Sequence, residues 1–198
     1  MKYIVNIGVH ERLSSYLDKY VNNPDYWIYG VEAHPKIYER LLRDYEGKVQ
    51  NVTFSHCAIC TRNEEVVLFS DMVNHPLGPG SFCSHNSLSY DYLIKQNHQE
   101  ENIQAFRVPG RTLKSYLEVI GLADKEIELL CMDCESLDAD ILLATDFSGF
   151  QIKQIAFEPV MMGDELYEKV LAHMRQFGYN KVSVWETTDR LLEKSSDL

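Results

Sequence analysis

The sequence predicts an α/β domain built on a mostly parallel sheet with helices on both faces. Three observations predict it. Short apolar, β-branched runs alternate with segments of helical spacing along the 198 residues. Hydrophobic residues make up 45% of the chain and charged residues 25%, the balance of one globular unit with one core. Polar residues collect just after the apolar runs, where such a sheet binds its ligands.

The elements follow in order. The run at 2–7 (KYIVNI) is a strand followed by Gly8. Leu13, Tyr16, Leu17 and Tyr20 recur at helical spacing, and Asn22-Asn23-Pro24 stops that helix. The run at 27–33 (WIYGVEA) is a second strand. Pro35 starts a helix whose expected buried stripe is Ile37, Leu41 and Leu42, and Gly47 ends it. Runs at 52–59 and 65–69 read as a hairpin around Thr61-Arg62-Asn63. Residues 70–104 break the pattern, with Pro76, Gly78, Pro79, Gly80, His75, His85 and His98. An irregular insertion of that length reads as a functional loop or lid. Regularity resumes with a strand at 107–109, a Thr112-capped helix at 112–120 and a buried strand at 127–132 (IELLCM). A short helix at 137–143, a strand at 154–157, an amphipathic helix at 165–177 and a strand at 181–185 complete the pattern. The tail, DRLLEKSSDL, reads as polar and frayed. With no repeat and no linker, residues 1–198 read as one domain.

Charge and composition exclude several function classes. The formal net charge is −11, which opposes a phosphate backbone as partner. No run approaches the ~18 apolar residues of a membrane span, and the N-terminus lacks a signal-peptide layout. The expectations are therefore no nucleic acid, no membrane, and a cytoplasmic location. A small neutral or cationic substrate fits better. The five cysteines are Cys57, Cys60, Cys83, Cys131 and Cys134. Two CxxC pairs suggest zinc, but both overlap β-like runs, where positions i and i+3 point to opposite faces. Buried free thiols and no metal are the expectation.

The strand ends hold the chemistry. Gly8-Val9-His10 follows the first strand, and Glu32 ends the second, 24 residues after Gly8. A glycine turn followed about 20 residues later by an acid is the pattern of ribose recognition. The alternative is that Gly8 merely ends a strand and Glu32 solvates a helix. No G-x-G-x-x-G or P-loop motif is present, which argues against dinucleotides and nucleoside triphosphates. A nucleoside without a polyphosphate remains, and S-adenosylmethionine is the common one.

Residues 108–159 supply a resemblance. VPGRTLKSYLEVIGLADKEIELLCMDCESLDADILLATDFSGFQIKQIAFEP is similar to the FkbM-type S-adenosylmethionine-dependent methyltransferases, a Rossmann-like group acting mostly on hydroxyls of small molecules. The segments VNIGVH, YGVEAHP and NVTFSHCAI fall where that family has its glycine turn, ribose acid and third strand. The S-x-N-S-L-S stretch at 84–89 resembles its serine-rich loop. The resemblance implies a Rossmann-like class I methyltransferase fold, S-adenosylmethionine as cofactor, and methyl transfer to a hydroxyl of a small molecule or sugar. It implies cofactor contacts from Asn6, Gly8, His10, Glu32, Ala58 and Asp133. His10 would meet the carboxypropyl end, and His56 or Ala58 the adenine.

For an alcohol acceptor, methyl transfer needs positioning and a base. Asp133 and Glu135, two residues apart on an extended segment, would share a face. Like charges that close raise one carboxylate toward useful base strength. Asp133 is the candidate central acid, Glu135 the candidate base, and Glu158 the candidate that orients the acceptor; the first two roles could be exchanged. Alternatively, Glu135 and Asp138 cap the helix at 137–143. His75, His85, Ser87 and Tyr90 are candidate lid contacts, weighed against a plain solvated loop. Three departures stand out. Asn6 replaces a family Asp, Arg12 stands near a family glycine, and Ser136 replaces another. They support an alternative: a degenerate, non-catalytic binding protein of the same fold, its cleft filled by Arg12.

Overall fold

The computed structural model describes residues 1–71, 86–160, 162–185 and 188–195. The first half of the chain contains β1 (Lys2–Ile7), β2 (Tyr26–Glu32), α1 (Pro35–Tyr45), β3 (Val52–His56), β4 (Ala58–Ile59), β5 (Glu65–Asp71), β6 (Asn86–Ser87) and α2 (Tyr90–Lys95). The second half contains β7 (Ile103–Arg111), α3 (Leu113–Val119), β8 (Glu126–Met132), α4 (Asp138–Ala144), β9 (Gln151–Phe157), α5 (Asp164–Arg175), β10 (Tyr179–Trp185) and β11 (Asp189–Lys194).

Seven strands form the main sheet in the order β3-β2-β1-β8-β9-β11-β10. The first five run parallel. Strand order reverses at β1, which pairs with β2 on one side and β8 on the other. Successive residues of a strand face opposite layers, and β1 shows it. Ile4 packs with Leu17, Ile28, Ile37 and Leu41 on one face. Val5 and Ile7 pack with Leu130, Ile141, Leu142 and Val170 on the other. Burying each such side chain stabilises the fold by about 1.5–3 kcal/mol.

Helix α1 begins as expected at Pro35, behind a His34 cap whose Nδ1 accepts from Ile37 N at 3.4 Å. Its stripe is narrower than expected, because Leu42 is 41% exposed while Ile37 and Leu41 are fully buried. Residues 15–20 form a 3-10 turn rather than an α-helix, closed by Asn22 at φ +59°.

Three expectations fail. The hairpin of 52–59 with 65–69 does not form. The run breaks at Cys57: β3 stays beside β2, while β4 joins a second sheet of order β4-β7-β5-β6. Strand β5 pairs antiparallel with β7, from Glu65↔Pro109 to Asp71↔Ile103. Gly110 permits this, since a Cβ there would stand 2.5 Å from Glu64 O. Residues 86–104 are not irregular; they contain β6, α2 and the start of β7. His75, Cys83 and His85 lie outside the described residues. Finally, the expected frayed tail is β11, antiparallel to β9 and β10 in the sheet interior. Leu192 is fully buried, and Glu193 pairs with Lys181 and accepts from Gln154 Nε2.

Candidate functional site

A cleft opens beyond the carboxyl ends of β1, β2 and β8, at the reversal of strand order. Its polar wall is Gly8, His10, Glu32, Asp133 and Glu135; Ala33, Ala58, Ile59, Leu68 and Leu88 form an apolar wall.

Gly8 lies at φ +76°, and a Cβ there would fall 1.8 Å from Asp133 O. The neighbouring main chain is tightly bonded: Gly8 N and Val9 N donate to Val31 O, and Asp133 N donates to Ile7 O at 3.1 Å. The glycine is therefore required by the approach of the segment after β8, as well as lining the cleft.

Glu32 is buried with both oxygens engaged. Oε2 accepts from His10 N at 2.7 Å and Oε1 from His34 N at 2.6 Å. Burial pushes its carboxyl up to about 7, amide hydrogen bonds from His34, His10 and Ala33 oppose the rise, and Asp133 adds repulsion. His10 adopts φ +55° as its amide turns toward Glu32.

The structure brings Asp133, Glu135 and Glu158 together, with one carboxylate oxygen of each within 4.8 Å of the others. The expected reason was wrong, because the segment is not extended: Glu135 has φ +46° and Ser136 φ +83°. Burial pushes Glu135 up to about 8 and Asp133 adds to it, while a hydrogen bond from Tyr92 opposes both. Glu158 is pushed up to about 7 by burial, then by Asp133 and Asp189. Asp133 is exposed as a residue, yet its carboxyl is crowded by protein; that loss of water and the charge of Asp189 push it up to about 6. Three hard oxygen donors this close are a set that a divalent cation could take, although no metal was expected.

Other candidates lie elsewhere. Asn6 is buried and accepts from Ser14 N at 3.4 Å, taking no part in the cleft lining. Arg12 is exposed and does not line the cleft, so the filling that would favour the non-catalytic alternative is not seen. His56 stacks on Tyr38 and bonds Ala33 O at 3.0 Å, whereas Ala58 does line the cleft. Tyr90 packs edge-on against Phe69. Helix α4 has no side-chain cap; Asp138 accepts from Cys134 N at 3.0 Å instead. Cys57, Cys60, Cys131 and Cys134 are free. Burial pushes the Cys57 thiol up to about 11 and Cys131 to about 12. Among the described residues no cysteine joins a cluster able to hold a metal.

Sequence reasoning missed Tyr92 and Asp189. Tyr92 donates its hydroxyl hydrogen to Glu135 Oε2, and Ser87 Oγ donates to Glu135 O at 3.0 Å. A signal existed for Tyr92: Ser89 precedes an apolar pair at helical onset, and its Oγ does accept from Tyr92 N. Asp189 gave none, because its place depends on β11.

Among the described residues no helix is long and apolar enough to cross a membrane. No curated protein matches the sequence. Among solved structures the chain is similar to Aeropyrum pernix fibrillarin in complex with natively bound S-adenosyl-L-methionine. The identity is 11% and the TM-score 0.52, covering 96% of this chain and 65% of that one. It is also similar to a Methanococcus jannaschii fibrillarin pre-rRNA processing protein, at 12% identity and TM-score 0.47, covering 98% of this chain and 67% of that one. The first likeness shows a shared class I methyltransferase fold, and the chain spans 65% of that protein's length. The model of the methyltransferase FkbM domain matches residues 4–181, from within β1 to the start of β10. By that match, over a sheet that reverses at a cleft containing Gly8 and Glu32, the chain belongs to the FkbM methyltransferase domain family.

Proposed function

We propose that this protein binds S-adenosylmethionine and transfers its methyl group to a hydroxyl of a small molecule or sugar. The observation that carries this reading is Glu32. Its buried carboxylate lines the cleft while accepting amide hydrogens from His10 and His34, with the Ala33 amide also bonding to it. A carboxylate has about four acceptor positions, so about one remains for a hydroxyl of a ribose. Gly8 and His10 would border the sugar, and Ala33, Ala58 and Leu68 offer an apolar wall for the adenine face. Bound there, the cofactor supplies an electrophilic methyl group on a sulfonium.

This chain's residues supply orientation and proton handling. Glu135, raised toward neutral pH by burial, is the base that takes the acceptor hydroxyl's proton. Glu158 and Asp133 orient that hydroxyl and favour positive charge beside them. The same carboxylates repel phosphates, which with a net charge of −11 favours a small acceptor over a nucleic acid.

Calorimetry with S-adenosylmethionine and S-adenosylhomocysteine tests the reading. Saturable binding is expected, and Glu32→Ala should weaken it at least about tenfold, with folding checked by circular dichroism. Folded protein that binds neither molecule overturns the proposal. Transfer of labelled methyl from S-adenosylmethionine to a panel of sugars and alcohols then tests the acceptor class.

A further inference from the structure

We propose that Tyr92 is a positioning residue: from helix α2 its hydroxyl holds the Glu135 carboxylate toward the reacting end of the cleft. The inference rests on the reading above and extends it to a residue outside the cleft lining.

The backbone at Glu135 and Ser136 is left-handed, at φ +46° and +83°. Side chains avoid that region unless surrounding contacts hold them there. The contacts that hold this turn come largely from one stretch. Tyr92 donates to Glu135 Oε2, Ser87 Oγ donates to Glu135 O at 3.0 Å, and the Ser87 and Ser136 hydroxyls lie 3.5 Å apart.

The donor is itself fixed. Ser89 Oγ caps α2 by accepting from Tyr92 N at 3.2 Å, and Ser89 N donates to Ser87 Oγ at 3.1 Å. Tyr92 is 6% exposed and its neighbour Leu93 fully buried, so packing holds the ring beside the turn. The ring does not line the cleft, and its hydroxyl donates to Glu135, which does.

Glu135 needs such a hold. One of its oxygens lies within 4.8 Å of oxygens on Asp133 and Glu158. Like charges at that distance push an unrestrained side chain away. A phenol bonded to one oxygen offsets that repulsion and fixes the direction in which the other points.

S-adenosylmethionine and S-adenosylhomocysteine differ by one methyl group and one positive charge on sulfur. Their affinity ratio therefore reads how a carboxylate is aimed at the sulfur. Calorimetry at pH 8.5 with both ligands would compare wild type, Tyr92→Phe, Glu135→Gln and the double variant. Glu135→Gln should cut the preference for the sulfonium by about fivefold. Tyr92→Phe should cut it about threefold or more in the same direction, with homocysteine-form affinity within about twofold of wild type. The double variant should match Glu135→Gln alone, since Tyr92 acts through that carboxylate. A merely structural role would weaken both ligands equally. An unmoved ratio in Tyr92→Phe, or fully additive effects, overturns the proposal. Should Tyr92→Phe fail to fold, Ser89→Ala loosens the helix that presents the phenol and should shift the ratio about twofold the same way; no shift overturns the proposal. Wild type that binds neither ligand overturns the methyltransferase reading and this inference together, whereas binding with an unmoved ratio overturns only this one.

Discussion

The two ends of the cleft fix their carboxylates by different means. At one end, Glu32 is gripped by main-chain amides of His10 and His34, in segments that directly follow β1 and β2. Parallel register brings the two strand ends side by side, and the left-handed turn at Gly8 and His10 aims the His10 amide at Glu32. At the other end, Glu135 sits on a left-handed backbone and is held by side chains 43 and 48 positions away. One end is a by-product of the sheet; the other is assembled by the second sheet and α2. The sheet-built end should therefore fail with the fold, and the assembled end should tolerate change.

Gly8→Ala tests that contrast most severely. Its new Cβ would collide with Asp133 O on a backbone already at φ +76°. We expect a loss of about 4 kcal/mol in urea unfolding, or no folded protein. A loss under about 1 kcal/mol would show that β1 and the segment after β8 can separate, ending the claim of a rigid end.

Titration offers the next largest effect. Burial raises Glu32 to about 7, Asp133 to about 6, Glu135 to about 8 and Glu158 to about 7. Each binds its proton more tightly folded than unfolded. Their contribution is complete below about pH 4 and is lost as pH rises through 6 to 8. The urea midpoint should thus fall from pH 5 to pH 8, by about 2–3 kcal/mol of stability. Glu32→Gln should remove part of that slope, and the buried Asp138, pushed up to about 8 by burial, should keep much of the rest. A midpoint that rises over the same range would contradict the burial of Glu32.

Ser136→Gly carries the smallest effect and the opposite sign. Glycine accepts φ +83° without the strain a serine bears, so stability should increase by about 1 kcal/mol. Destabilisation would mean that the 3.5 Å contact with Ser87 outweighs the backbone relief.

These contrasts explain what was legible in the sequence. Apolar runs such as Ile4–Ile7 and the IELLCM strand revealed the parallel sheet, because burial on both faces leaves few polar residues. Glu32 was legible since its position follows from strand order alone. The grouping of Asp133, Glu135 and Glu158 was foreseen on an extended geometry that the left-handed turn replaces. Pairing was harder: β5 chose β7 over β3 because Gly110 lets the chain approach Glu64, and no local pattern records that choice. Tyr92 required the same long-range pairing. Strand β11 was hidden because only Leu191 and Leu192 are apolar amid charged neighbours, and Glu193 finds its partners only on adjacent strands.

The interior placement of β11 couples the scaffold to the cleft. Residues 189–194 lie between β9 and β10 and so bring the charge of Asp189 to bear on the carboxylates of the cleft. One short segment thus both joins the antiparallel edge to the parallel strands and adds negative charge to the acidic pocket.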